Sequence, residues 1–186
     1  MAEVNGSPSR LEMRFSGSGG QGILLAAAIV AEAATALGKH VVQTQSYGPA
    51  ARGGASKAEV IIADDEIDYP EVEALDVSLC LSQAAYEKYA GDTRPGGLLV
   101  HDSGLVEPGD SLPGRVLRGL PFTQAAAEHL MKTVVANIVA VGALVEISGM
   151  VPAAAAEAAV VSRVPERFRA LNVEAFRLGR RLAAEA

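Results

Sequence analysis

A glycine-rich turn near the N-terminus constrains the fold of this chain more than any other stretch. The alternating run 11–16 predicts a strand, and residues 22–37 predict a helix that ends at Gly38. Between them, Gly17-Ser18-Gly19-Gly20-Gln21-Gly22 fits the spacing G-x-G-x-x-G. Such a turn presents backbone N–H groups at a helix N-terminus, where a phosphate or carboxylate is favoured. Glycines also permit tight turns and close packing, so the turn alone leaves its ligand open.

The remaining apolar pattern predicts β-α repeats followed by helices. Strands are expected at 40–44, 57–63, 77–81, 98–101 and 115–117, and helices at 84–90, 123–131, 137–148 and after Pro152 and Pro165. Strands that alternate with helices form a sheet covered on both faces. We therefore expect a three-layer α/β/α domain with a mostly parallel, partly mixed sheet and a helical C-terminal third. Residues 1–10 are expected to be a flexible leader, and residues 11–186 a single domain.

Composition excludes several classes of protein. Hydrophobic residues make up 49% of the chain and charged residues 20%, which is typical of a folded globular domain. The net charge of -6, with no basic strip interleaved with aromatics, argues against nucleic-acid binding. The single cysteine, Cys80, excludes an internal disulfide and any cluster or zinc site built from cysteines of this chain alone. Because neither a signal-peptide pattern nor a clean membrane span is present, we expect a cytoplasmic protein with no membrane contact.

A second loop, after the second predicted strand, carries further anion-binding candidates. Arg52 is followed by Gly53 and Gly54, so its guanidinium is free to meet an anion beside backbone donors, and Tyr47 adds an aromatic face. If the first two strands are parallel neighbours joined by a right-handed crossover, both loops leave the same carboxyl edge, where open α/β sheets bind ligands. The alternative is that the glycines only shape a turn and Arg52 is solvated.

Catalytic and metal-binding patterns are scarce. The end of the second strand carries Gln43, Thr44 and Gln45 rather than the acid that a dinucleotide fold uses for ribose, and no lysine completes a Walker loop. The histidines are scattered. The adjacent residues 101–103 (His-Asp-Ser) are no triad, because neighbouring strand positions face opposite sides. The acidic run 64–68 lacks the spacing of a calcium loop. We therefore assign no catalytic residue and no metal ligand.

Three stretches together resemble one family. They are the glycine turn with its helix, the run Tyr47-Gly48-Pro49-Ala50-Ala51-Arg52-Gly53-Gly54, and Ile67-Asp68-Tyr69-Pro70. With residues 137–143 and the final helices, they closely resemble the gamma subunit of 2-oxoacid:ferredoxin oxidoreductases, over nearly the whole chain. Members act on pyruvate, 2-oxoglutarate, branched-chain 2-oxoacids such as ketoisovalerate, or indolepyruvate. A short separate chain slightly favours a 2-oxoglutarate or generic 2-oxoacid enzyme.

The resemblance implies a subunit that is inactive alone. Such complexes oxidatively decarboxylate a 2-oxoacid with coenzyme A and reduce ferredoxin. Thiamine diphosphate and Mg²⁺ would lie in alpha- and beta-type partner subunits and iron–sulfur clusters in a ferredoxin-like subunit, so no cofactor is expected on this chain alone. A homodimer of the isolated chain is left open.

The resemblance also gives the candidate site. We expect coenzyme A, or a partner loop near it, to contact Gly17, Gly19, Gly20, Gln21, Gly22, Tyr47, Arg52, Gly53 and Gly54. The competing hypothesis is a pure assembly module without ligand contact. A free-standing dinucleotide-binding oxidoreductase ranks third, because the acid after the second strand is missing.

Overall fold

The computed structural model describes residues 10–46, 54–109 and 112–186. Within these ranges, six strands form one sheet and six α-helices cover it. The strands are β1 (Arg10–Ser18), β2 (His40–Ser46), β3 (Ala55–Ala63), β4 (Leu75–Cys80), β5 (Thr93–Asp102) and β6 (Val116–Leu120). The helices are α1 (Ile23–Ala36), α2 (Gln83–Tyr89), α3 (Phe122–Leu130), α4 (Ala136–Ser148), α5 (Ala153–Arg163) and α6 (Arg169–Ala184).

The sheet is mixed, with strand order β2-β3-β1-β4-β5-β6. Strands β1, β4, β5 and β6 run parallel, whereas β3 is antiparallel to both β1 and β2. The prediction that the first two strands are parallel neighbours is therefore wrong. Strand β3 lies between them because it pairs with β1 over the whole length from Arg10↔Ala63 to Ser18↔Ala55. Strands β1 and β2 nevertheless run in the same direction, so both end at the same edge of the sheet.

One face of the sheet carries the main hydrophobic core. Met13, Phe15, Val60 and Leu79 are buried there beneath helices α1, α3, α4, α5 and α6. Helix α4 is buried along 137–145, which explains why its sequence is apolar on nearly every side. Burial of such large side chains contributes roughly 1.5–3 kcal/mol each, so this face supplies most of the fold's stability.

The opposite face is more polar and more thinly covered. Helix α2 packs there through Ala85 and Tyr86, and a smaller cluster forms around Cys80 and Leu99. Arg14 and Ser78 lie buried on the same face. Helices thus cover both faces, and the predicted three-layer α/β/α fold with a mixed sheet and a helical C-terminal third is confirmed.

Element ends mostly agree with the sequence patterns. Gly38 and Gly149 adopt left-handed conformations (φ +77° and +62°) where helices α1 and α4 stop. Arg10, expected in the leader, belongs to β1, and residues 1–9 lie outside the described residues. Helix α3 begins at Phe122, one residue before the predicted start at 123. No helix in the described part of the chain is long and apolar enough to cross a bilayer.

Candidate functional site at the carboxyl edge

The glycine turn joins the end of β1 to the start of α1. Gly20 and Gly22 have φ values of +87° and +70°, which glycine adopts without the steric cost that other residues meet. Gly22 is the N-cap residue of α1 and offers no side chain to cap it. The first-turn N–H groups of α1 are therefore open to an external acceptor, as an anion site requires.

The side chain of Gln21 clamps the turn from within. The Ser18 backbone N–H donates to Gln21 Oε1 at 2.6 Å, and Gln21 Nε2 donates to the Leu81 carbonyl, just past β4, at 2.7 Å. A Cβ at Gly17 would lie 2.6 Å from Gln21 Oε1, so only glycine leaves room for this clamp. The Gln21 backbone N–H also donates to the Ser18 carbonyl at 3.2 Å, so both the side chain and the backbone of Gln21 hold the turn together.

Asn137, in the first turn of α4, holds the turn from the other side. Its Nδ2 donates to the Gly22 carbonyl at 3.1 Å, across a sequence separation of 115 residues. Asn137 is only 4% exposed. A Cβ at Gly22 would overlap Asn137 Nδ2. Gly22 is thus required both by its backbone conformation and by the amide packed against it.

The other two glycines face outward. Gly19 and Gly20 are exposed, and a Cβ at either would meet nothing within 4 Å. The turn is therefore fixed on its inner side by protein contacts and open on its outer side. This open side is the part of the turn that a ligand or a partner subunit can approach.

Two clefts flank the open side. The first, of about 300 Å³, lies towards β3 and is lined by Ser18, Gly19, Gly20, Gly22, Ile23, Leu24, Ser56 and Lys57. The side chain of Lys57 is 26% exposed, and its Nζ donates to Glu59 Oε1 at 2.9 Å. The charge of Lys57 is therefore already paired with Glu59, which lies with Arg14 on the face of the sheet opposite α1. The sequence does not single out Lys57, because its position depends on β3 pairing beside β1.

The second cleft, of about 260 Å³, lies on the α4 side of the turn. Its lining residues are uncharged, namely Gly20, Gln21, Leu81, Leu105, Thr123, Thr133, Val134, Ala136 and Asn137. They follow strands β1, β4 and β5 or begin helices α3 and α4, so the cleft lies at the carboxyl edge where α/β sheets bind ligands. No sequence motif marks it, because its residues come from five separated segments.

The structure brings together part of the predicted site. Gly17 to Gly22 form the turn, and Gly54 lies beside it because the next residue, Ala55, pairs with Ser18. Tyr47, Arg52 and Gly53 lie outside the described residues.

The His-Asp-Ser stretch 101–103 has a structural role at the same edge. Asp102 Oδ2 accepts from the Thr123 N–H at 3.0 Å and from its hydroxyl at 2.6 Å, while Oδ1 accepts from the Gly104 N–H at 3.1 Å. The carboxylate therefore caps the first turn of α3 from outside. Burial lowers the pKa of the neighbouring His101, which packs edge-on to Tyr86 with ring centroids 5.9 Å apart.

Among the described residues, neither an activated cysteine nor a metal-binding cluster lies at this site. Cys80 is buried, and burial raises the pKa of its thiol to about 11, so it is protonated and inert at neutral pH. In the same ranges no three His, Cys, Asp or Glu side chains gather in a way that could hold a metal ion.

Comparison with known proteins identifies the family. The family model described as pyruvate ferredoxin/flavodoxin oxidoreductase matches residues 12–182. The 2-oxoglutarate synthase subunit KorC of Methanocaldococcus jannaschii is 45% identical over 179 residues, covering 95% of each chain. The chain therefore belongs to the pyruvate ferredoxin/flavodoxin oxidoreductase family.

Solved structures agree in fold and in subunit type. The gamma subunit of a keto/oxoacid ferredoxin oxidoreductase from Geobacter sulfurreducens superposes with a TM-score of 0.85 at 46% identity, covering 95% of this chain and 98% of that one. A 2-oxoglutarate:ferredoxin oxidoreductase from Magnetococcus marinus, solved with 2-oxoglutarate, coenzyme A and succinyl-CoA, gives 0.87 at 25% identity and covers 97% of this chain but 32% of that chain. The chain is thus a gamma-type subunit of a 2-oxoacid:ferredoxin oxidoreductase complex, as the resemblance predicts.

Proposed function

We propose that the complex containing this chain oxidatively decarboxylates 2-oxoglutarate with coenzyme A, yielding succinyl-CoA, carbon dioxide and reduced ferredoxin. The observation that carries the choice of substrate is the 45% identity to a 2-oxoglutarate synthase subunit across 95% of both chains. The sequence patterns alone favour this substrate only slightly over other 2-oxoacids.

The redox and decarboxylation chemistry belongs to partner chains in this proposal. Alpha- and beta-type subunits hold thiamine diphosphate and Mg²⁺, and a ferredoxin-like subunit holds the iron–sulfur clusters. The residues of this chain do not fit those groups: its one cysteine lies buried, with the Ser16 hydroxyl 3.4 Å from Sγ, and an iron–sulfur cluster needs several thiolates. The assembled complex works in the cytoplasm.

The contribution of this chain is an anion site for coenzyme A at the glycine turn. Two observations support it: the open Gly19 and Gly20, and the N-terminus of α1 with no side-chain cap. A phosphate group there would accept from backbone N–H groups. Gly17, Gln21 and Gly22 shape the turn, while Tyr47, Arg52, Gly53 and Gly54 stay predicted contacts from the neighbouring loop.

Substrate choice is tested on the reconstituted complex. Ferredoxin reduction is followed with coenzyme A and, in turn, 2-oxoglutarate, pyruvate, ketoisovalerate and indolepyruvate. We expect the highest kcat/KM with 2-oxoglutarate. A higher value with another of these acids would assign the complex to that acid instead.

Gly19→Ala tests the anion site with little structural disturbance. The added methyl group meets no protein atom within 4 Å, but it would obstruct a phosphate approaching the turn. Loss of a charge-assisted contact is worth about 1.5–3 kcal/mol, so the apparent KM for coenzyme A should rise about tenfold or more. Gly91→Ala is the matched control, because Gly91 is equally open and lies at the opposite edge of the sheet. An unchanged KM in Gly19→Ala would remove coenzyme A from the turn.

The assembly hypothesis is separated by copurification. If the Arg52→Ala complex keeps all its subunits but binds coenzyme A more weakly, Arg52 contacts the ligand. Loss of a partner subunit from the same variant would instead assign Arg52 to an interface.

A further inference from the structure

Helix α3 ends on a residue whose side chain does not suit the backbone. Met131 has φ +54° and ψ +26°, in the left-handed region, where a Cβ atom crowds the following carbonyl oxygen. Its N–H donates to the Ala127 carbonyl at 3.1 Å and closes the helix, a position at which glycine is usual. Gly38 and Gly149 take this conformation after α1 and α4, and among the residues described Met131 is the one non-glycine residue with a positive φ. A glycine would fit this backbone better than methionine does.

The Met131 side chain contributes little to the fold in return. It is 79% exposed, and Val134, three residues further along, is 75% exposed, which makes them the two most exposed large hydrophobic residues in the described part of the chain. Because hydrophobic stabilisation scales with the apolar area removed from water, side chains this exposed stabilise the folded chain only weakly. The advantage of methionine over glycine at this position therefore comes from a contact outside the chain.

The second cleft lies beside these two residues. Val134 lines it together with Leu105 and Ala136, and none of its described lining residues is charged. Protruding apolar residues next to an uncharged hollow are typical of the buried centre of a protein–protein interface, where charged residues are depleted. We call Met131, Lys132, Val134 and the second cleft the α3–α4 surface.

Lys132 gives the α3–α4 surface a charge at its margin. It lies between Met131 and Val134 along the chain and is exposed. In the ranges that the structure describes, none of the ion pairs involves Lys132. Glu128, one turn earlier in α3, accepts from Gln124 Nε2 at 2.8 Å instead. A surface that complements this one is therefore apolar and places a carboxylate opposite Lys132.

We propose that the α3–α4 surface docks a neighbouring subunit of the complex, which fills the second cleft with an apolar side chain and pairs a carboxylate with Lys132. In the Magnetococcus marinus enzyme the matching region is 32% of a longer chain, so further polypeptide is joined to this fold there. The occupant we assign is the subunit that corresponds to the remainder of that chain. The inference needs only the gamma subunit type and uses neither the substrate nor the coenzyme A contact of the proposed function.

Met131→Gly tests the surface because its two effects have opposite signs. Removing the strained side chain should raise the urea midpoint of the isolated chain, whereas losing its docking contact should weaken assembly. Assembly is measured by letting the untagged variant compete with a tagged wild-type chain for incorporation into the complex. The incorporated ratio should fall about tenfold or more, as expected for an apolar side chain that docking buries. Met131→Asn, which tolerates the left-handed conformation better than methionine, repeats the test should glycine loosen the turn.

Two further variants test the charge and the position. Lys132→Glu should also lower the incorporated ratio, and added salt should narrow its difference from the wild type because screening weakens the repulsion between carboxylates. Leu37→Ala is the control, since Leu37 is 45% exposed and follows α1 at the opposite edge of the sheet. It should be incorporated as well as the wild type.

The occupant is identified by cross-linking in the assembled complex. Glu128→Cys places a thiol at the rim of the α3–α4 surface, and a photoreactive maleimide labels it selectively because Cys80 is buried. We expect the label to join this chain to the subunit that corresponds to the remainder of the Magnetococcus marinus chain. A cross-link to a second copy of this chain or to another subunit would overturn that assignment, and the absence of any cross-link would show that the surface stays uncovered.

Two results with Met131→Gly would overturn the docking surface itself. A lower urea midpoint would mean that the methionine side chain serves the fold of its own chain. Incorporation equal to that of the wild type would mean that no subunit docks on Met131.

Discussion

At the scale of single residues, the glycines of the turn divide into two kinds. Gly17 and Gly22 lack side chains because Gln21 and Asn137 occupy the space that a Cβ would need, whereas Gly19 faces open space. The same motif thus combines structural and exposed glycines. Substitution can separate them, because only the structural ones should destabilise the fold.

Gly22→Ala should cost about 2–3 kcal/mol of unfolding free energy, since a left-handed conformation costs roughly 1–2 kcal/mol for alanine and the Asn137 hydrogen bond would be displaced as well. The measurement is the urea midpoint, with Gly19→Ala as the control. We expect Gly19→Ala to stay near the wild type. Equal losses in the two variants would contradict the division between inner and outer glycines.

His101 gives stability a defined dependence on pH. Burial lowers its pKa in the folded protein, although Asp102 opposes the shift. The unfolded chain, with an ordinary histidine pKa of about 6.5, therefore binds a proton more readily than the folded one. The unfolding free energy is therefore unaffected by His101 above about pH 6.5 and declines as the pH falls below that value.

His101→Gln should flatten the slope of unfolding free energy between about pH 7 and pH 5, because the substituted residue does not titrate. The slope is compared, not the absolute stability, since the buried amide will itself change packing. His129→Gln on the exposed side of α3 is the control. A slope in His101→Gln equal to that of the wild type would exclude His101 as its source.

At the scale of elements, α4 and α6 pack through paired glycines. A Cβ at Gly142 in α4 would overlap the Phe176 carbonyl of α6, and one at Gly179 in α6 would overlap the Val139 carbonyl of α4. Both clashes are with backbone, which cannot rotate away as a side chain can. The helical C-terminal third is therefore fixed to the core by close backbone approach.

Gly142→Ala should destabilise the protein by about 3 kcal/mol, near the upper end of overpacking costs, because the helices must separate to admit a methyl group. The expected loss appears in both thermal and urea unfolding. Ala143→Gly is the comparison variant: it removes a buried methyl group from the same helix without a clash and should cost about 1–2 kcal/mol. Gly142→Ala with wild-type stability would show that the helices can shift freely.

The positions of helices and strands along the chain could be predicted from the sequence better than the order of the strands in the sheet. The hydrophobic period predicts a helix at 137–148 because this signal is local, and α4 spans Ala136–Ser148. The insertion of β3 between β1 and β2 depends on pairing between distant segments, which no local pattern encodes. The same limit applies to the site: the turn is visible in the sequence, but the Gln21–Leu81 and Asn137–Gly22 contacts join residues 60 and 115 positions apart.

At the scale of the whole molecule, Arg14 connects the sheet to its thinly covered face. Its guanidinium pairs with Glu59 on β3 and with Asp92 in the turn before β5, and it stacks over the Tyr89 ring of α2 at 5.2 Å. The side chain of Arg14 is 8% exposed and that of Glu59 is 12% exposed. One cation thus joins β1, β3, α2 and the start of β5, where apolar contacts are few.

Glu59 makes this network sensitive to acid. Burial alone would raise the pKa of its carboxyl group, but hydrogen bonds from Lys57 and Arg14 together with their charges lower it below the ordinary value of 4.5. The folded state therefore holds the ionised carboxylate more strongly than the unfolded chain does. The resulting stabilisation is complete above about pH 4.5 and is lost as the pH falls through the lowered pKa.

Arg14→Met should cost about 3 kcal/mol at neutral pH, the lower end of the cost of breaking a buried ion pair, because Lys57 still partly compensates Glu59. The difference from the wild type should shrink as the pH falls through the lowered pKa of Glu59, because protonation of Glu59 removes its ion pair. Arg94→Met is the control, since Arg94 pairs with Asp76 at 2.5 Å but its side chain is 51% exposed, and such pairs contribute about 0–1 kcal/mol. Urea unfolding at several pH values measures both variants. A difference for Arg14→Met that stays constant on acidification would show that its packing over Tyr89, rather than the Glu59 pair, holds α2 to the sheet.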